Sequence, residues 1–235
     1  MKRDIAQKII THNKQLYDQI AEDFSLTRGY IWPEFEYFKG YLKKNQDVLD
    51  LGCGNGRLLE LLKDYQPNYL GIDNSKSLIT KAKQKWPDNK FQVGDAMDLS
   101  SIKQKFDLVF LISTLHHIPS QVLREKVLFN VKEVLKPGGI LLMINWNLWQ
   151  KRYIKYIIKY ALLKLTETSK EIIPGVNPRD LDLQDVFIPW QKKHKRYLHA
   201  LTEHNVSSLL KIEGFEVIKN VSNKRNIITV ARKPK

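Results

Sequence analysis

Val48-Leu49-Asp50-Leu51-Gly52-Cys53-Gly54-Asn55-Gly56 sets a buried-strand pattern, a carboxylate and three alternate glycines in immediate succession. An apolar run ending in glycines predicts a strand that enters a tight turn. Glycine reaches backbone conformations barred to other residues and puts no Cβ between main chain and ligand, so the turn reads as a cofactor loop. The dinucleotide fingerprint would carry its third glycine at position 57, where this chain has Arg57. The spacing argues against NAD.

Further strands follow in order. Tyr69-Leu70-Gly71-Ile72-Asp73 predicts a second strand ending in a carboxylate, although Asp73 alone also suits a helix N-cap before Asn74 and Ser75. Phe91 to Ala96 predicts a third strand and its turn, and Phe106 to Ile112 a strand buried on both faces, opening into Ser113-Thr114-Leu115-His116-His117. A helix then leads to a turn at Leu135-Lys136-Pro137-Gly138-Gly139 and a fifth strand over Ile140 to Asn145; Phe215 to Ile218 and Asn226 to Ala231 supply the last two.

With 235 residues, 43% of them hydrophobic, the chain suits one domain with a sizeable core. The broken amphipathic pattern after Lys2-Arg3-Asp4 predicts neither a secretory signal nor a membrane span, and hence a cytoplasmic protein. One cysteine excludes an intrachain disulfide, and Cys53 reads as a small filler between glycines. The net charge of +14 is uneven: residues 1–150 hold 21 basic and 17 acidic residues, residues 151–235 hold 18 and 8. A basic field of this kind attracts phosphate backbones, and it also serves solubility.

Two segments concentrate that charge. Lys151, Lys155 and Lys159 form an i,i+4 stripe beside Ile154, Ile157, Ile158 and Ala161, which predicts a docked amphipathic helix with snorkelling lysines. Pro189-Trp190-Gln191-Lys192-Lys193-His194-Lys195-Arg196-Tyr197-Leu198-His199 interleaves basic and aromatic residues and is the stronger nucleic-acid candidate. His194, His199 and His204 recur every five residues, diverge on a helix, and predict no metal site.

These motifs, in this order, resemble class I S-adenosylmethionine-dependent methyltransferases over nearly the whole chain. The resemblance implies an α/β fold: a Rossmann-like, mostly parallel seven-stranded sheet with helices on both faces and the last strand antiparallel. It implies S-adenosylmethionine as cofactor, held by Tyr17, Asp50, Gly52, Gly54, Gly56, Asp73, Asn74, Asp95, Ala96 and Ile112. In that reading Asp73 accepts from the ribose hydroxyls and Asp95 from the adenine amine.

The Tyr17 to Arg28 segment, Trp32-Pro33, His116-His117, Trp146, Asp185 to Trp190 and Arg196 to His199 are more specifically similar to the tRNA wobble-uridine carboxymethyl methyltransferases. Those enzymes esterify the carboxylate of 5-carboxymethyluridine. The similarity implies tRNA as partner and, as for some relatives, a small zinc-binding activator protein, with no membrane. It implies Arg28, His116, Arg196 and His199 as the groups orienting the carboxylate or a neighbouring phosphate. Trp32, His117, Trp146, Lys192, Lys193, Lys195 and Tyr197 would contact the acceptor. The chain departs from the pattern at Leu198, where a second tyrosine is expected, and in its longer, more basic segment after Trp146.

The expected layout is one domain over 1–235: a cap at 1–45, a cofactor core at 46–146, a basic acceptor-side insertion at 147–212 and a final strand pair at 213–235. A small-molecule acceptor (a phenol, quinone precursor or acid) and a non-catalytic RNA-binding subunit remain open alternatives at this stage.

Overall fold

Alternation in the strands builds the molecule from its sheet outward. The computed structural model describes residues 1–27, 32–166, 170–191 and 193–235. Strands β1 (Asp47–Leu51), β2 (Asn68–Asp73), β3 (Lys90–Val93), β4 (Phe106–Ile112) and β5 (Leu135–Trp146) pair in parallel, and β8 (Glu216–Ser222) and β9 (Asn226–Arg232) complete a seven-stranded sheet of order β3-β2-β1-β4-β5-β9-β8. β9 runs antiparallel to both its neighbours. It is the last strand in sequence, as expected.

Successive residues of a strand face opposite sides, so each half of the alternation feeds its own core. Leu49, Leu51, Val109, Leu111, Leu141 and Met143 pack beneath the helices α5 (Gln121–Val134) and α7 (Glu203–Ile212). Val48, Leu108, Phe110, Ile112, Leu142 and Ile144 pack on the other face, against α3 (Leu59–Leu62), α4 (Lys76–Lys85) and a 3-10 segment, Pro33–Tyr41. That segment is pinned by Glu34, whose buried carboxylate accepts from the side-chain amides of Asn223 and Asn226 at 2.9 and 2.8 Å.

A third core lies off the sheet. Here α1 (Arg3–Gln19) contributes Ile5 and Ile9, and α6 (Ile154–Leu165) contributes Ile157 and Tyr160. Both pack on an antiparallel hairpin of β6 (Asp185–Trp190) and β7 (His194–His199). The hairpin corrects the sequence reading: His194 and His199 sit on a strand, not on a helix. The short helix α2 (Ala21–Leu26) follows α1 toward the sheet.

Two boundaries also differ. β5 begins at Leu135 because the Lys136–Gly139 turn continues the ladder, Gly138 donating to Lys233 O and Lys233 donating to Gly139 O. β8 extends to Ser222 as a mostly exposed edge, whose polar residues give no periodic signal. No helix among the described residues is long and apolar enough to cross a membrane.

Leu111 is fully buried at the centre of the sheet. Leu111→Ala should lower stability by about 2–5 kcal/mol, because close-packed neighbours relax only partly into the space left. Urea denaturation reads the change, and an unmoved midpoint would contradict this packing.

Candidate active site

The strand order reverses between β1 and β4, and in open α/β sheets ligands bind beyond the strand ends at that point. The glycine loop lies there. Gly52 and Cys53 both donate to Ile72 O, at 2.7 and 3.0 Å, so the end of β2 fixes the loop's entry. Gly52 has φ +79°, and a Cβ there would collide with the Thr114 side chain. Gly54 has φ +55°, and its missing Cβ faces the cavity with only the Phe24 ring, at 3.6 Å, nearby. Gly56 differs. A Cβ on it would meet Phe91 and Trp86 at 2.9 Å, and the residue does not reach the cavity, so its role is packing beneath the loop.

Two buried carboxylates stand behind this loop. Asp73 Oδ2 accepts from Gly54 N–H and its Oδ1 from Ser75 N–H, each at 2.9 Å. Burial still raises its pKa, against the pull of those donors. Asp50 accepts from Tyr69 Oη at 2.8 Å, and burial, opposed by that bond and helped by the charge of Asp73, brings its pKa to about 7. Burial likewise pushes the Cys53 thiol well above its usual value, which makes it a poor nucleophile.

Asp50, Gly52, Gly54, Asp73, Asn74, Asp95, Ala96 and Ile112 all line one cavity, as does Tyr17 from α1. Asp95 turns one oxygen back to Met97 N–H at 2.9 Å, and the Ala96 carbonyl accepts from Asn130. The cap is anchored by Asp18, which accepts from Ser75 Oγ at 2.7 Å. Tyr17 Oη donates to His117 Nε2 at 3.1 Å, and His117 Nδ1 donates in turn to Tyr197 O at 3.2 Å. One histidine thus links cap, sheet and hairpin. Burial, with the neighbouring His116 ring and the charge of Arg196, holds it neutral.

Its neighbour behaves differently. His116 is fully buried behind the cavity wall, where Nδ1 accepts the Trp146 N–H at 3.3 Å. Burial, opposed by Asn145 and reinforced by Arg196, takes its pKa down to about 3. His117 lines the cavity and His116 does not.

Arg196 closes the far wall. It is buried, and its guanidinium carbon lies 4.6 Å from the Trp146 ring centroid and 5.4 Å from that of Trp190. Among the described residues no carboxylate comes within 4 Å of it, and its Nε has no hydrogen-bond partner. Trp146 stacks on Tyr153, and Trp32 lines the cavity under the guanidinium of Arg57 at 4.3 Å.

The other expected residues fall elsewhere. β7 alternates, so Tyr197 and His199 face away from Arg196. Tyr197 Oη and His199 Nδ1 both donate to Asp185 Oδ1 at 2.7 Å, and His199 lines a separate cavity. Lys195 Nζ donates to Ile172 O, and Lys193 is exposed. Arg28 and Lys192 lie outside the described residues. Sequence reading passed over Asn55, Arg57, Ser113 and the Trp190 face on Arg196. Ser113, with φ +56° at the cavity, carries no local signal for that conformation. Among the described residues no group of His, Cys, Asp and Glu is placed to hold a metal.

Residues 42–200 match the sequence profile described as Methyltransferase domain. The chain belongs to this methyltransferase family. It is 26% identical to the tRNA (carboxymethyluridine(34)-5-O)-methyltransferase of Schizosaccharomyces pombe over 93% of this chain and 95% of that one. It is 32% identical to the enzyme of the same name from Xenopus tropicalis over 76% of this chain, but spans only 30% of that protein's length. A crystal structure of an S-adenosylmethionine-dependent methyltransferase from Methanosarcina mazei superposes with a TM-score of 0.68, at 21% identity, over 87% of this chain and 98% of that one. The residues fit the family's methyl donor, S-adenosylmethionine. Bare backbone at Gly54 leaves room for a chain to pass, and the acceptor-only carboxylates of Asp73 and Asp95 line the same cavity.

The methyltransferase should show the burial of Asp50 in its stability. Because the folded pKa is raised from 3.8 to about 7, the native state holds the proton longer, and this carboxyl's contribution falls as pH rises through that window. His116 opposes it. A histidine depressed from 6.5 to about 3 contributes more as pH rises through its own interval. Asp50→Asn should therefore gain stability over the wild type progressively between about pH 4 and 7, and then level off. Urea midpoints measured across pH read this, and a constant difference would contradict the shift.

Proposed function

We propose that this methyltransferase esterifies the carboxylate of 5-carboxymethyluridine at the tRNA wobble position. The carrying observation is Arg196: a buried cation at the cavity wall, flanked by two tryptophans and lacking a carboxylate partner among the described residues. Buried charge is stable only when paired, and an anionic acceptor supplies the missing partner. The names of the relatives and the basic excess over residues 151–235 favour tRNA as its carrier.

Acceptor chemistry points the same way. Both nitrogens of His117 are committed, and the ring is held neutral, so it is poorly placed to take a proton from a phenol. A carboxylate, with a pKa near ~4, needs none taken. Bound S-adenosylmethionine supplies an electrophilic methyl group. The chain's part is positional: Arg196 orients the acceptor carboxylate, Trp146 and Trp32 wall it from water, and Tyr17 with His117 holds the cap closed. Arg28, Lys192 and Lys193 remain acceptor-side contacts in this reading, residues 147–212 form the acceptor-side insertion, and His116 supports Trp146 from behind. A cytoplasmic location and a small zinc-binding activator belong to the same proposal.

Incubation with labelled S-adenosylmethionine and tRNA carrying 5-carboxymethyluridine, with the activator added where the chain alone is silent, should yield the methyl ester by nucleoside mass spectrometry. The rate should hold down to about pH 5. Arg196→Gln should cost about a hundredfold in kcat/KM for tRNA while leaving cofactor affinity within about twofold. Methylation of a phenol in place of the tRNA, or full turnover by the variant, would overturn the assignment.

A further inference from the structure

The hairpin separates two cavities, and the second has no part in the chemistry above. It measures about 930 Å3, within the range of small-ligand sites, and lies between the first turn of α5, the start of α1, the flank of α7 and the end of β7. Ser120, Gln121, Val122, Leu123 and Arg124 line it consecutively. They are the N-cap and first turn of a 14-residue helix with no acidic residue in that turn. The first amides of a helix have no intrahelical acceptor and carry the positive end of its dipole, so they favour an anion.

Arg124 makes this more than a helix end. It is 4% exposed, lines the cavity, and gives Nη1 to Ile118 O at 2.9 Å. Its Nε has no hydrogen-bond partner, and among the described residues it forms no ion pair. A cation in the first turn of a helix works against the dipole. The neighbouring carboxylates do not remedy this. Asp185 Oδ1 is taken by Tyr197 and His199 and its Oδ2 by Asp182 N–H, while Asp182 Oδ1 lies 2.9 Å from the Met1 nitrogen. Arg3 and Lys126, both exposed, add charge at the rim.

We infer that this cavity binds a phosphate group, as inorganic phosphate, a phosphomonoester or an RNA phosphodiester, with Arg124 and the first two α5 amides as its inner ligands and Arg3 and Lys126 at the mouth. Ser120 already accepts from the Leu123 and Arg124 amides, so a phosphate would supply the counter-charge that Arg124 lacks and acceptors for the Gln121 and Val122 amides, which a neutral ligand does not. The site is independent of the acceptor assignment, because Arg124 and Arg196 line different cavities.

Calorimetric titration with inorganic phosphate at fixed ionic strength tests it. The wild type should bind saturably, Arg124→Gln should lose at least about tenfold in affinity, and Arg124→Lys should recover part of the loss. S-adenosylmethionine binding, measured on the same samples, should be unchanged and certifies the fold. If Arg124→Gln fails to fold, the exposed-rim double variant Arg3→Gln/Lys126→Gln decides, with an expected loss of about fivefold. An RNA stem-loop that displaces phosphate identifies the backbone as the source, and one that binds alongside it identifies a free phosphate compound. No saturable binding at millimolar phosphate, or identical curves for the wild type and either folded variant, would overturn the site.

Discussion

The Asp73 carboxylate accepting from Gly54 N–H is the constraint on which the site depends. One side chain at the end of β2 holds the glycine loop that leaves β1, while Ile72 O takes two further amides of that loop. Ordering glycines costs more backbone entropy than ordering other residues, and these hydrogen bonds offset that cost. The same carboxylate caps the turn into α4 through Ser75, so the two βα connections on either side of the cofactor cavity share one acceptor. Burial makes the arrangement electrostatically costly, as the raised values of Asp50 and Asp73 show. Such clusters of strained protonation recur where a fold is shaped for a ligand.

Much of this was legible in the sequence, for a physical reason. The inner strands are buried on both faces, so their apolar runs needed no partner to be recognised; Phe106 to Ile112 was read with its exact ends. β8 was read short because an exposed edge strand has no apolar face to reveal it. The β6–β7 hairpin went unread because the basic run around Lys193 and Lys195 masks it. Its apolar residues, Val186 to Ile188 and Tyr197-Leu198, are buried by a cluster drawn from several elements, with Ile5 and Ile9 of α1 and Ile157 and Tyr160 of α6 far away in sequence.

Residue types in the site were legible where their directions were not. Arg196 and His199 were grouped by proximity in sequence, but an odd spacing on a strand sends them to opposite faces. His116 and His117 are adjacent in a 3-10 turn, and only tertiary packing decides that the second meets the cavity while the first is sealed behind Trp146. Arg57 was noticed for what it excludes, yet in the structure it covers the Trp32 ring.

The manner in which Arg196 is held bears on the proposed reaction. A guanidinium paired with a resident carboxylate would be neutralised and its fork occupied. One bound tightly to the acceptor would draw charge from the oxygen that must attack. Stacking on Trp146 and Trp190 avoids both outcomes, since a cation over an aromatic face is stabilised through its plane while its N–H edge stays available. The neutral His117 adds no second positive charge beside it. In the proposed esterification, an anionic acceptor would thus meet one delocalised cation rather than a clamp, an arrangement that orients a carboxylate while leaving its oxygen nucleophilic.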